Sequence, residues 1–191
     1  MSDPTLHDLC LTGKYNTDKY FEHVWHVHSY IENFYNKNFL PLKDTALNIL
    51  EIGVWSGGSM LLWKDYFPNA TVWGVDISTQ HINVDFNQDR LKLIIGDAYS
   101  DNIINNLPDD YFDIIIDDGP HTLESMRVYI EKYIPKLKQE KGILVLEDIG
   151  SISWVEELLE LVPERLKANT SIIDLSNIDN RSDSILLYIK T

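Results

Sequence analysis

The chain holds one cysteine, Cys10. That excludes an intramolecular disulfide and suits a reducing compartment. Positive charge is scarce: 16 lysines and arginines face 30 aspartates and glutamates, a formal net charge of −14. A surface that binds phosphate backbones broadly needs a basic face, so a nucleic-acid partner is not expected. No apolar run approaches the roughly 20 residues that span a bilayer. The N-terminus, MSDPTLHDLC, has no basic-then-apolar signal pattern. A cytoplasmic location without a membrane partner follows as an expectation. Low-complexity tracts, internal repeats and linkers are absent too, and 191 residues suit one domain.

What is present centres on Leu47 to Ser78, LNILEIGVWSGGSMLLWKDYFPNATVWGVDIS. Leu47, Ile49, Leu50 and Ile52 form an apolar run too short for a helix, which reads as a buried strand. Gly53, Gly57 and Gly58 break it. Ser59 to Tyr66 reads as a helix stopped by Pro68-Asn69, and Thr71 to Ile77 as a second strand ending at Asp76. Strand, turn, helix and strand of this length make a βαβ unit. Glycines let a ligand approach the backbone, and an acid at the second strand's end can accept hydrogen bonds from a ribose diol. A dinucleotide site wants G-x-G-x-x-G, but Trp55 stands where its second glycine would be. The spacing here, Glu51-x-Gly53-x-x-x-Gly57 with Asp76 downstream, resembles motif I of the class I S-adenosylmethionine (SAM) methyltransferases. Another nucleotide, or a purely structural glycine turn, stays open at this point.

Before this unit, Thr5 to Leu11 reads as a short helix, GKYNTDK as a polar turn, and Glu22 to Phe39 as an aromatic helix ended by Pro41. His23 and His26 share a face of that helix, but no acids accompany them, so a metal site there is not favoured. Beyond Asp76, strands are expected at Leu91 to Ile95, Tyr111 to Ile116 and Gly142 to Leu146. Helices are expected at Ser100 to Asn106, Leu123 to Leu137 and Ser153 to Leu166. Two last runs, Ser171 to Leu175 and Ser184 to Ile189, flank a polar turn and predict an antiparallel edge pair. The sum is an α/β doubly wound, mostly parallel seven-stranded sheet with a C-terminal antiparallel hairpin. Residues 1–46 would form a helical lid segment over a sheet core of 47–191.

Ligands of such sheets sit at the carboxyl ends of the strands. That rule collects Gly53, Asp76, Asp97, Asp117, Asp118, His121, Glu147 and Asp148 on one rim. Asp97 could meet an adenine amino group or cap the next helix. Neighbouring buried carboxylates repel unless a cation compensates, and their oxygens suit a hard ion such as Mg²⁺. His121, three residues after Asp118, is placed to take a proton from a metal-bound hydroxyl, or else belongs to a helix start.

Three strings, EIGVWSGGSMLLWKDYFPNATVWGVDI, IIIDDGPHTLESM and GILVLEDI, resemble the metal-dependent sugar O-methyltransferases of the macrocin and mycinamicin type, a family that includes cephalosporin-hydroxylase-like proteins. NTDK at Asn16 to Lys19, with His28 and Tyr30 following, is similar to the family's opening GTDK segment. The likeness runs from about Lys14 to Ile149. It implies metal ligation by Asp118, Glu147 and Asp148, with His121 as catalytic base beside Asp118. It implies cofactor contacts from Glu51, Gly53, Trp55, Gly57, Ser59, Asp76, Ile77, Asp97 and Asp117, with Thr17 and Lys19 closing over the cofactor. Pro120 replaces the family's usual serine and Asn16 its usual glycine. The macrolide enzymes carry further N-terminal sequence with no counterpart in these residues, so a macrolide acceptor is not implied.

The reading is a SAM- and divalent-metal-dependent O-methyltransferase acting on a hydroxyl of a sugar or glycan, a small-molecule partner, with homo-oligomerisation open. Its rivals are another small-molecule acceptor, a non-catalytic SAM-binding protein, and an oxygenase-type relative. The last would need a two-histidine, one-carboxylate set that is not evident around His121.

Overall fold

A computed structural model of the chain describes residues 3–20 and 28–191. His23 and His26, and the first part of the helix expected from Glu22, lie outside the described residues. The seven strands are β1 Asn48–Ile52, β2 Thr71–Asp76, β3 Leu91–Ile95, β4 Ile114–Asp117, β5 Ile143–Leu146, β6 Thr170–Asp174 and β7 Ile185–Lys190. They form one sheet in the order β3-β2-β1-β4-β5-β7-β6. β1 to β5 pair parallel, while β7 runs antiparallel to both β5 and β6. The expected fold and terminal hairpin are therefore present. The strand order reverses between β1 and β4, and a parallel sheet opens its ligand crevice at that point.

Among the described residues, eight short α-helices follow in chain order: α1 Leu6–Cys10, α2 Asn36–Phe39, α3 Gly58–Tyr66, α4 Asp101–Ile104, α5 Leu123–Tyr133, α6 Val155–Leu161, α7 Glu164–Lys167 and α8 Ser176–Asp179. Two elements differ from expectation. Among the described residues, the aromatic helix before Pro41 begins at Tyr30, and His28 and Ser29 have no regular secondary structure. It runs as a π-helical turn, Ile31–Tyr35, before α2. The helix expected from Ser153 to Leu166 is split at Val162, whose extended backbone precedes Pro163.

Strand periodicity sends alternate side chains to two cores. Ile49, Val72, Ile114, Ile116 and Val145 pack beneath α1, α2 and α3 with Phe34, Tyr35 and Trp63. Leu50, Ile52, Ile115, Leu144 and Leu187 pack with Met126, Tyr129, Tyr133 and Leu158 on the other face. Burial on both faces explains why β4 and β5 read as unbroken apolar runs. Among the described residues, no helix is long and apolar enough to cross a membrane.

Candidate active site

A cleft of about 900 Å³ opens above the carboxyl ends of β1, β2, β3 and β4. Its floor is the turn after β1. Gly53 has φ +83°, and a Cβ added there would lie 1.9 Å from the Asp118 carbonyl oxygen, so the β1 and β4 ends touch backbone to backbone. At the start of α3, a Cβ on Gly58 would lie 1.8 Å from the Asn16 carbonyl oxygen. The Asn16 side chain donates to Ser56 Oγ at 3.2 Å. This contact seats the NTDK segment against the glycine turn, and Asn16, Thr17 and Asp18 form one wall of the cleft.

Asp76 lines the cleft as the sequence suggested, with part of its carboxylate already engaged. Oδ2 accepts from the backbone N–H of Val54 and Trp55, and Oδ1 from that of Ser78. Trp55 and Ile77 also line the cleft, and both are exposed at its mouth. The Trp55 ring stacks on His81 at 4.3 Å. Ser59 and Asp97 complete the set of expected residues on this wall. Asp97 does not cap α4: its Oδ1 accepts from Tyr99 N–H, and Ser100 supplies the cap.

Gly57 and Asp117 do not line the cleft but shape it. Gly57 turns the chain into α3 with φ +88°. Asp117 is buried and accepts the Tyr99 hydroxyl at 2.6 Å. Burial pushes its carboxyl up to about 7; the Tyr99 hydrogen bond opposes that and the Asp118 charge adds to it. Tyr99 itself lines the cleft, a contribution that sequence reasoning missed because an isolated tyrosine carries no motif.

Glu51 departs from its expected place. Two-residue alternation puts it on the Ile49 face of β1, beneath α3, so it does not reach the cleft. Its Oε2 accepts from Ser59 Oγ at 2.9 Å and from Trp63 Nε1 at 3.2 Å. Burial raises its carboxyl to about 7, against the pull of Lys19.

At the inner end of the cleft, ligand atoms of Asp118, His121 and Asp148 all lie within 4.8 Å of one another. His121 Nε2 is 3.7 Å from Asp118 Oδ1 and 3.9 Å from Asp148 Oδ2. Left-handed backbone aims two of these side chains: His121 and Asp148 both have φ +53°. Such geometry costs a non-glycine residue roughly 1–2 kcal/mol and concentrates at functional sites. The same twist separates Asp148 from its neighbour. Asp148 Oδ1 accepts the Tyr30 hydroxyl at 2.5 Å, and Oδ2 lies 3.4 Å from His28 Nε2. Glu147 points the other way, into the core, where it accepts from Tyr35 and Lys19. The expected trio of Asp118, Glu147 and Asp148 is thus divided, with His121 beside the two aspartates.

Lys19 also departs from its expected role over the cofactor. Its side chain is 1% exposed, and its ammonium sits 2.5 Å from both Asp118 Oδ2 and Glu147 Oε2. Burial opposes that charge, yet the surrounding acids hold the ammonium well above its ordinary range. One lysine does not balance the group. Burial, with repulsion from Asp118, pushes the Asp148 carboxyl up to about 8. Burial also lifts Glu147 well above the usual carboxylate range, against the attraction of Lys19.

A mostly parallel sheet with a glycine-floored cleft at its switch point and an acid–histidine group beside it defines the doubly wound α/β class with a small-molecule cleft. The comparisons place it further. Residues 50–149 match the family described as a methyltransferase domain, and the chain belongs to that family. It is 29% identical over 161 residues to a demethylmacrocin O-methyltransferase of Streptomyces fradiae, covering 79% of this chain and 38% of that one. It is 30% identical over 155 residues to a mycinamicin VI 2''-O-methyltransferase of Micromonospora griseorubida, covering 75% and 36%. The chain therefore spans little more than a third of the length of these curated relatives. A methyltransferase of the mycinamycin biosynthetic pathway, solved with magnesium and S-adenosylhomocysteine (SAH), shares the fold with a TM-score of 0.60 and 24% identity over 82% of this chain and 44% of that one. An SAH-bound methyltransferase of Podospora anserina does so with a TM-score of 0.58 and 18% identity over 81% and 76%.

Proposed function

We propose that this chain transfers a methyl group from SAM to a hydroxyl oxygen of a sugar or glycan, assisted by a divalent cation. One observation carries the reading: Asp118 and His121 line the cleft and also belong to the acid–histidine group, so two sites share a wall. The cleft fits the cofactor on its own terms. Its volume of about 900 Å³ is that of a small-molecule site, and its floor admits no side chain at Gly53. On this reading Asp76 would meet the ribose diol and Asp97 the adenine amino group.

The acid group fits a hard dication, because buried carboxylates with raised proton affinity lack positive charge. Asp118 and Asp148 would hold the ion; Glu147 joins them only when its carboxylate leaves Lys19. When bound, SAM supplies an electrophilic methyl and the ion acidifies the acceptor hydroxyl. His121, a third exposed and open to the cleft, takes the hydroxyl proton as the oxygen gains its methyl. Sugars are the favoured acceptor because the curated relatives include enzymes named for rhamnosyl tetracenomycin-C and L-olivosyl-oleandolide.

Calorimetric titration of SAM with and without Mg²⁺ tests the binding half. Binding in the micromolar range supports it, and no heat in either condition removes it. Mass spectrometry of products from a panel of sugar nucleotides and glycosides tests the chemistry. A chain that binds SAM yet methylates no panel member would refute the sugar assignment.

A further inference from the structure

Lys19 lies where two readings of the site meet. Its Nζ is 2.5 Å from Asp118 Oδ2, 2.5 Å from Glu147 Oε2 and 3.8 Å from Glu51 Oε1. That last oxygen is buried and has no hydrogen-bond partner among the described residues. Two oxygens each 2.5 Å from one nitrogen are at most 5.0 Å apart, twice that distance. A small dication holds its oxygens at about 2.0–2.1 Å, so an inward shift of under an ångström on each side would seat one there. The ammonium therefore occupies the position between Asp118 and Glu147 that a metal bridging them would take. The two cannot be there together: they want the same oxygens, and their charges repel at contact.

The backbone around Lys19 links this exchange to the cleft. Lys19 O accepts Ile31 N–H at 3.0 Å and Asp18 O accepts His28 N–H at 2.8 Å, which ties the segment to the start of the Tyr30 helix. Asn16, Thr17 and Asp18, immediately before Lys19, wall the cleft. The Lys19 side chain is only 1% exposed, and in a close-packed interior its withdrawal requires neighbouring atoms to move, the adjoining wall among them.

We propose that Lys19 is an internal competitor of the dication: it holds Asp118 and Glu147 together in the metal-free chain, and a metal bridging those two acids expels it and resets the wall of the cofactor cleft. The inference rests on the metal reading above. It makes Lys19 a positioning residue, acting through the two acids and not on substrate.

The test titrates Mn²⁺ into wild type, Lys19→Met and Lys19→Arg by calorimetry. It also compares acetic-anhydride labelling of Lys19 in wild type with and without Mn²⁺ by mass spectrometry. Lys19→Met is expected to bind Mn²⁺ at least tenfold more tightly than wild type, and Lys19→Arg no more tightly. In wild type, Lys19 should be protected from acetylation without metal and labelled with it. Wild type binding Mn²⁺ while Lys19→Met binds no better and Lys19 stays protected would overturn the competition but leave the metal site. No Mn²⁺ binding to any of the three would overturn both. If Lys19→Met does not fold, the labelling of wild type decides alone.

Discussion

Two residues at the inner end of the cleft separate binding from chemistry. His121 touches no cleft-floor backbone in the hydrogen-bond pattern and is a third exposed, so its loss should leave the fold and the cofactor wall in place. His121→Ala is expected to bind SAH within about threefold of wild type while methyl transfer falls 10²–10⁴-fold, the usual worth of a positioned base. Paired calorimetry and product assays check it, and full transfer in that variant removes His121 from the base role. Tyr30 works differently. It donates to Asp148 from the core, so Tyr30→Phe strips a hydrogen bond from a buried acid. A loss of about 1.5–3 kcal/mol in urea unfolding of the metal-free chain is expected, and less with Mn²⁺ present. Tyr30 stood in the family-like opening segment without an assigned role, and Tyr35 was not legible as part of the site, because an aromatic at helical spacing reads as core. Both are core, and each also presents its hydroxyl to an acid.

At the scale of elements, the glycine turn and the NTDK segment form one unit although some 40 residues separate them. The turn itself could be read from Gly53, Gly57 and Gly58, since few other residues tolerate positive φ or such close backbone approach. That the partner of Gly58 is Asn16 could not be read, because the contact is made by a carbonyl, which every residue has. Gly58→Ala is expected to push Asn16 to Lys19 away from α3 and weaken SAH binding about tenfold or more. Thermal unfolding should show the chain still folded. Unchanged SAH affinity would mean that this wall does not meet the cofactor. Strand ends were legible for a similar reason: acids directly after apolar runs mark where β4 and β5 leave the core. Which acid of each pair faces the ligand was not, since left-handed backbone at Asp148 breaks the two-residue alternation.

For the whole molecule, folding gathers Glu51, Asp118, Glu147 and Asp148 around one lysine in a chain already at −14. Groups such as Glu51 and Asp117, raised to about 7, and Asp148, raised to about 8, bind protons more tightly folded than unfolded. The folded state therefore holds more protons across that window, and stability falls as pH rises from about 5 to 8. Asp65 and Asp183, held below the usual carboxylate range, act in the opposite sense only at lower pH. Without metal, the melting temperature is expected to drop by about 5–10 °C between pH 5 and 8, and Mn²⁺ to restore most of it at pH 8. A melting temperature flat over that range, with or without the ion, would contradict this charge balance.

The order of strands along the chain, the terminal hairpin and the acids at the strand ends were determined locally, by apolar period, glycine and the end of each hydrophobic run. Those signals live in neighbouring residues and survive in the bare sequence. The partners of Lys19 were decided only in three dimensions. The ammonium meets Asp118 and Glu147 from 99 and 128 residues away, and the charge it must offset exists only once burial has removed water from those acids.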